Sequence, residues 1–228
     1  MDKPPIDSRP TPTIEDYLSL IYSMDFDQEK INGAKLAEYL GVSAPTVTAT
    51  LQRMERDGWI SSGDKKAITL TAKGKDAALA VVHRHNLVEC LLYEVLGMPL
   101  SSLHEEAHRI EHAISIETEK YLHEKFKHTQ YSPFGMPLQG DKPIASTWIP
   151  LLNAAPQSRV IIRRIIHYHC TREALQFLES HSLAPGALIT IVQHQEFNQT
   201  ISVRREHDHA EITLGYPIAK MIQVEKTS

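Results

Sequence analysis

Hydrophobic positions near the start of the chain recur with helical spacing and are punctuated by glycine. Apolar residues at i, i+4 and i+7 predict a helix starting at Thr13. A second amphipathic segment, 31–40, ends at Gly41, a residue that tolerates the left-handed conformation after a helix. Ser43 is the predicted N-cap of a third helix, and Pro45 lies in its first turn.

Two short segments of alternating polarity follow the third helix. They span 59–62 and 67–70, and a turn-forming tetrapeptide containing Lys65 and Lys66 separates them. The order helix, helix, tight turn, helix, hairpin is that of a winged helix-turn-helix. A plain three-helix core is the alternative, but it does not account for a hairpin directly after the capped helix.

The rest of the chain changes from helical to strand-like patterns. Thr71 is expected to cap a long helix over 72–96, and further helices are predicted to run to about residues 113 and 128. A segment rich in Pro and Gly follows at 132–140, and 147–156 reads as a linker. Short strands are predicted at 160–166, 188–192, 200–204, 211–214 and 221–224, with a helix at 172–180.

These patterns predict a mainly α protein with a small all-β C-terminal domain. We expect a winged helix-turn-helix domain at 1–74, a helical domain at 75–141, a linker at 142–156 and a small β-barrel at 157–228.

Composition narrows the classes of protein that fit this architecture. No apolar run approaches the roughly 18 residues of a membrane span, and the first residues lack a signal-peptide core. Two cysteines fit a reducing cytoplasm. The net charge of −4 argues against indiscriminate nucleic-acid binding. Segment 76–141 has 5 basic and 10 acidic groups, net −5, with 7 of the 13 histidines, a combination that a divalent cation would neutralise.

Histidines and glutamates of the middle segment are spaced for metal ligation. Three histidines at i, i+4 and i+8 share one helical face with a glutamate, and the preceding helix has a His/Glu pair at i, i+4. Antiparallel neighbouring helices would bring these faces together. A solvated polar stripe is the alternative. The candidate ligands are His85, Glu89, His104, His108, Glu111 and His112.

The same helix contains a zinc-peptidase signature, which raises a second function. HEEAH at 104–108 matches H-E-x-x-H, with Glu105 as general base. Two observations weaken a zinc metallohydrolase: Ser102 and Glu105 form a predicted capping box, and Ile114 stands where a third histidine is expected. Glu124 remains as a distant carboxylate ligand, so the hydrolase stays open as the alternative.

The combined pattern resembles the diphtheria toxin repressor and manganese transport regulator family. The stretches that carry the resemblance span 13–140 almost continuously, and the tail resembles the optional SH3-like (FeoA-like) domain of that family. The resemblance implies a cytoplasmic, homodimeric, metal-activated repressor of metal-uptake genes that binds double-stranded operator DNA, is no enzyme and does not bind membranes. The matching stretches are TIEDYLSLIY, LAEYLGVSAPTVTATLQRMERDGWI, HRHNLVECLLYEVLG, HEEAHRIEHAIS, SPFGMPLQG and, in the tail, LESHSLAPG.

The resemblance also implies two metal sites. The first falls on Asp16, His108, Glu111 and His112. The second falls on His85, Glu89 and His104, with Cys170 and Glu173 as tentative third-domain ligands.

Departures from the family pattern bear on which metal binds. Asp16 resembles the manganese type, whereas His108 matches neither the cysteine of the iron type nor the glutamate of the manganese type, and Ser19 stands where the manganese type has glutamate. Mn(II) or Fe(II) is the expected effector, and Zn(II) or Co(II) can bind in vitro. Without the resemblance, Asp16 would be taken for a plain first-turn carboxylate.

The third helix is the expected DNA-reading helix. Its first residues should face base edges, and basic residues farther along should contact phosphates. Ala49 stands where iron-type members have glutamine, so one expected base contact is missing. Recognition of DNA shape is therefore expected to contribute more to specificity than direct base contacts do. For Arg53 and Arg56 the alternative to phosphate contacts is a solvated helix face. For the whole protein, a further alternative is a DNA-binding module that does not sense metal. The candidates are Ser43, Pro45, Thr46, Arg53, Arg56, Lys65 and Lys66.

Overall fold

A computed structural model of the protein describes residues 9–62, 67–138 and 147–227. The chain divides into two compact units between His85 and Asn86. The predicted hairpin tip with Lys65 and Lys66 lies outside the described residues. Within the described ranges, every helix is too short or too polar to cross a membrane.

The first unit has the order of elements that the sequence predicts for a winged helix-turn-helix. Its two strands pair antiparallel, with Ile60 opposite Leu70. Its core is built from the apolar faces of the helices, including the fully buried Leu18, Leu36 and Met54. The elements are α1 (Pro12–Phe26), α2 (Gly33–Leu40), α3 (Ala44–Arg56), β1 (Ile60–Ser62), β2 (Ile68–Leu70) and the first part of α4 (Ala72–Cys90).

Local capping determines where these helices begin. The Ser43 side chain accepts a hydrogen bond from the Thr46 amide (3.3 Å), which confirms the predicted N-cap of α3. Asn32 does the same for α2 (3.0 Å to the Lys35 amide), so this helix starts later than its apolar pattern suggests. Helix α1 starts at Pro12, one residue before the prediction, because proline suits the first turn.

The second unit combines helices with an antiparallel sheet of strand order β3-β8-β4-β5-β6-β7. The predicted all-β C-terminal part is therefore confirmed. Helix α4 ends in a π-helical turn, Leu91–Val95. The remaining elements are α5 (Leu100–Glu111), α6 (Ile116–Lys125), β3 (Trp148–Pro150), β4 (Arg159–Ile165), α7 (Arg172–Ser180), β5 (Leu188–Gln195), β6 (Thr200–Arg205), β7 (Glu211–Gly215), α8 (Tyr216–Ala219) and β8 (Ile222–Lys226).

The segment predicted as a linker contains part of this sheet. Strand β3 pairs with β8, with Trp148 opposite Glu225, and Leu151 is fully buried just after it. A three-residue strand is too short to show alternation, and its pairing partner is far along the chain, so local pattern did not reveal it.

The helices and the sheet of the second unit share one hydrophobic core. Leu103 of α5 and Phe134 belong to the same buried cluster as Ile165 of β4. The amide of Ile165 donates to the Phe134 carbonyl at 2.9 Å. Gly135 has a φ of 88°, and a Cβ there would lie 2.1 Å from the Arg163 carbonyl oxygen. The Pro/Gly-rich segment therefore lies directly against the sheet.

We expect Gly135→Ala to lower the free energy of unfolding by about 2–3 kcal/mol, since it combines a left-handed backbone with a clash against main chain. Gly97→Ala is the matched control: its φ is 68° but nothing lies within 4 Å of a Cβ there, so only about 1 kcal/mol should be lost. Urea unfolding measures both. Equal losses would contradict the close approach at Gly135.

Candidate metal centres

Helix α5, which carries most of the candidate ligands, is held at its N-terminus by a carboxylate from α7. Glu179 Oε1 accepts from the Leu100 amide at 2.7 Å, and Oε2 accepts from the Ser101 hydroxyl at 3.1 Å. The first amides of a helix have no partner within the helix, so Glu179 supplies the cap from another element. Arg172 of α7 adds a hydrogen bond to the Ser102 hydroxyl at 3.2 Å.

The C-terminal end of α5 forms the first group of candidate ligands. Glu111 is 1% exposed, and its Oε1 lies 3.1 Å from His108 Nδ1 and 3.3 Å from His112 Nε2. The His112 side chain is largely covered, whereas that of His108 is about half exposed. One carboxylate and two imidazoles thus converge on one point at the helix end.

A second group joins α4, α5 and the turn after β4. Glu89 is fully buried, and its Oε1 lies 3.9 Å from His104 Nδ1. The His104 ring lies 4.3 Å from that of His167, which also packs against Phe134 at 4.7 Å. Ligand atoms of Glu89, His104 and His167 all lie within 4.8 Å of one another.

Both groups fit a divalent transition metal by their chemistry. Each combines a carboxylate oxygen with imidazole nitrogens, a donor set that suits Mn(II), Fe(II) and Zn(II). Burial of the Glu89 and Glu111 carboxylates is costly unless positive charge compensates it. A cation held among these donors would provide that charge.

The two other predicted ligands belong to the first unit. Asp16 is half-buried in α1, where its main-chain carbonyl accepts from the Ser19 hydroxyl at 3.1 Å. His85 is 8% exposed and lies one helical turn before Glu89 in α4. Their assignment as ligands stays a prediction.

Neither tentative third-domain ligand joins a group. The Cys170 thiol lies 3.2 Å from Met221 Sδ and 3.5 Å from the Ile166 carbonyl, and burial raises its pKa to about 12. Metal ligation requires the thiolate, which this setting disfavours. Glu173 is exposed, and a hydrogen bond from its own amide lowers its pKa.

The resemblance placed the tentative third-domain ligands at Cys170 and Glu173, whereas the structure places His167 beside Glu89 and His104. His167 follows strand β4, and a single histidine next to a strand has no local pattern that indicates a ligand. Only the packing of β4 against Phe134 brings its ring to His104.

The zinc-hydrolase alternative loses its two supports. His104 and His108 belong to different groups of candidate ligands, and their ring centroids lie 6.5 Å apart. Glu105, the expected general base, is exposed. The capping box predicted for Ser102 and Glu105 is also wrong, because α5 starts at Leu100 with Pro99 as N-cap and Ser102 lies inside the helix.

The exposed face of α3 is the candidate DNA-reading surface. Ser43, Pro45 and Thr46 are exposed, but the two hydroxyls hydrogen-bond each other at 2.8 Å as part of the cap. Arg53 is exposed, and Arg56 is exposed while paired with Asp57 at 2.9 Å. Sequence reasoning missed two further exposed polar residues of α3, Thr48 and Gln52.

Family models match nearly all of the chain. Residues 10–68 match the iron-dependent repressor N-terminal DNA-binding domain, and 71–139 match the metal-binding and dimerisation domain of the same repressors. Residues 149–226 match the FeoA domain.

Individual proteins resemble the chain over more than half or nearly all of its length. The iron-dependent repressor IdeR of Mycobacterium leprae is 31% identical over 94% of this chain and 97% of its own length. The diphtheria toxin repressor of Corynebacterium diphtheriae is 38% identical over 56% of this chain and 57% of its own. A solved manganese-dependent transcriptional repressor in complex with manganese has a TM-score of 0.85 at 29% identity, covering 94% of this chain and 100% of its own.

Removal of the inter-element cap should destabilise the second unit. We expect Glu179→Ala to lower the free energy of unfolding by about 2 kcal/mol, and Glu179→Gln, which keeps one acceptor, by about half as much. Glu196→Ala, at an exposed turn, is the control and should change it by less than about 0.5 kcal/mol. Amide exchange at Leu100 should accelerate in Glu179→Ala alone; unchanged exchange would contradict the cap.

The surroundings of both cysteines predict slow thiol chemistry: Cys90 is buried and Cys170 is partly buried. The pKa of Cys170 is about 12, so at pH 8 almost none of this thiol is in the reactive thiolate form. Cys90 is fully buried. A disulfide reagent should therefore label neither cysteine in the folded protein. Both should react on addition of denaturant. Rapid native labelling of Cys170 would show that its thiol is accessible after all.

Proposed function

The chain belongs to the iron-dependent repressor family, and we propose on that premise that Mn(II) or Fe(II) acts on it as co-repressor. It is then a metal-dependent DNA-binding repressor controlling metal-uptake genes. The observation that carries the metal dependence is the pair of buried carboxylates, Glu89 and Glu111, each surrounded by imidazoles.

We assign four ligands to each of two centres. The first comprises Asp16, His108, Glu111 and His112. The second comprises His85, Glu89 and His104, and His167 replaces Cys170 and Glu173 as the third-domain ligand. The geometry within the second unit supports six of these eight residues, and the family pattern supports Asp16 and His85.

Each centre then takes one ligand from the unit that reads DNA. Asp16 lies in α1 and His85 near the end of the first unit, whereas the other ligands belong to the second unit. A divalent cation supplies the positive charge that lets these carboxylates and imidazoles converge. Ligation of Asp16 and His85 fixes the orientation of α3, so DNA binding and metal binding strengthen each other by the same factor.

Family membership also indicates the binding partners, which are a second copy of the chain and operator DNA. A homodimer presents two recognition helices to one duplex operator, about 34 Å apart. Leu87 and Leu92 are buried in the core of the second unit, so they are not available for a dimer contact. The second unit does expose apolar side chains suited to a dimer contact. They are Tyr93, Val95, Leu96, Ile116 and Tyr121.

Contacts to DNA are assigned to α3 and the hairpin. Ser43, Pro45 and Thr46 would approach base edges, and Arg53, Arg56, Lys65 and Lys66 would bind phosphates. A regulator of this kind acts on the chromosome, so its place is the cytoplasm. It needs no catalytic residues, and none is assigned.

Metal and DNA binding should be linked and sensitive to single ligands. A DNA duplex that binds the protein is first selected from a random library in the presence of Mn(II). We expect the affinity of the protein for this duplex to fall at least about tenfold when a chelator removes the Mn(II). Asp16→Asn and His108→Ala should each weaken Mn(II)-dependent binding similarly. Fluorescence anisotropy with Mn(II), Fe(II), Co(II) and Zn(II) separately ranks the effectors.

Two controls separate this function from its rivals. His123→Ala, at an exposed position of α6 outside both groups, should bind DNA as the parent does. Glu105→Gln should do the same, whereas it would abolish a peptidase. Operator affinity that is indifferent to chelator would refute metal control.

A further inference from the structure

A buried ion pair lies beside the two ligands that the first unit contributes. Arg84 of α4 and Glu15 of α1 meet at 2.8 Å, with side chains 1% and 4% exposed. Glu15 immediately precedes Asp16, and Arg84 immediately precedes His85. The pair therefore joins the backbone segments that carry one ligand of each proposed centre.

The ion pair adds a directional contact to the apolar packing of α1. This helix is buried on nearly all sides, with Ile14, Tyr17, Leu18 and Ile21 each at most 5% exposed. Such contacts are non-directional, and a slip by one residue would move each side chain about 1.5 Å along the axis and about 100° around it. A charged pair tolerates no such slip, because each partner would be left buried without the other.

We propose that the Glu15–Arg84 ion pair positions Asp16 and His85 relative to each other and thereby couples the two metal centres. Both residues are positioning residues and need not touch a metal. With the pair intact, occupation of one centre places the first-unit ligand of the other where it binds. This inference rests on the proposed function, since it takes Asp16 and His85 as ligands.

The coupling can be measured from three binding constants. His104→Ala/His167→Ala disables the second centre and gives the Mn(II) affinity of the first. His108→Ala/His112→Ala gives that of the second. The overall constant of the protein with both centres, divided by the product of these two, is the coupling ratio. Free Mn(II), followed by its electron paramagnetic resonance signal, provides each isotherm without DNA.

We expect a ratio of about five or more in the otherwise unaltered chain, and a ratio near one when Glu15→Leu/Arg84→Met replaces the pair by apolar side chains. Glu15→Arg/Arg84→Glu, which restores opposite charges, should raise the ratio again. Glu29→Gln/Lys35→Met is the matched control, because it removes a 3.0 Å ion pair of the same unit that is partly exposed. Its ratio should equal that of the parent.

The outcomes distinguish positioning from plain stabilisation. If the apolar double variant does not fold, Glu15→Gln, which keeps the shape of the side chain, should bring the ratio toward one. A lower melting temperature with an unchanged ratio would overturn the inference. So would a ratio of one in the parent, provided that two Mn(II) ions bind. A parent that binds no Mn(II) would overturn the proposed function and this inference together.

Discussion

The burial of charge among helices α4 and α5 is the constraint on which the second unit depends. Glu89 and Glu111 are buried, although hydration strongly stabilises an ionised carboxylate. Imidazole rings approach both carboxylates. A bound cation would compensate the buried negative charge, so metal binding should stabilise the folded second unit.

The sheet contributes directly to this arrangement. Glu179 caps α5, His167 reaches His104, and Phe134 packs in the core that helices and strands share. The FeoA-like part therefore shares one compact unit and one core with the helices that carry the candidate ligands. Loosening of the sheet would displace a helix cap and a candidate ligand at once.

Sequence reasoning recovered features that depend on local pattern and failed where partners are far apart in the chain. The cap at Ser43 and the i+4 spacing within α5 are local, and they were predicted. Strand β3, the Glu179 cap and His167 each depend on pairing with a distant element, for which a single sequence offers no periodic signal. Ser102 was misassigned because its spacing to Glu105 imitates a cap inside an existing helix.

The chemistry of α3 explains why control by orientation is effective in such a protein. The first half of its exposed face offers small side chains, Thr46, Thr48 and Ala49, and Gln52 is the one amide among the exposed residues of this helix. Hydroxyls and methyl groups discriminate bases less strongly than bidentate arginine or glutamine contacts. Affinity must then come from phosphate contacts and from two helices meeting the duplex in register. Binding that depends on the placement of whole units is the kind that the proposed ligands Asp16 and His85 would govern.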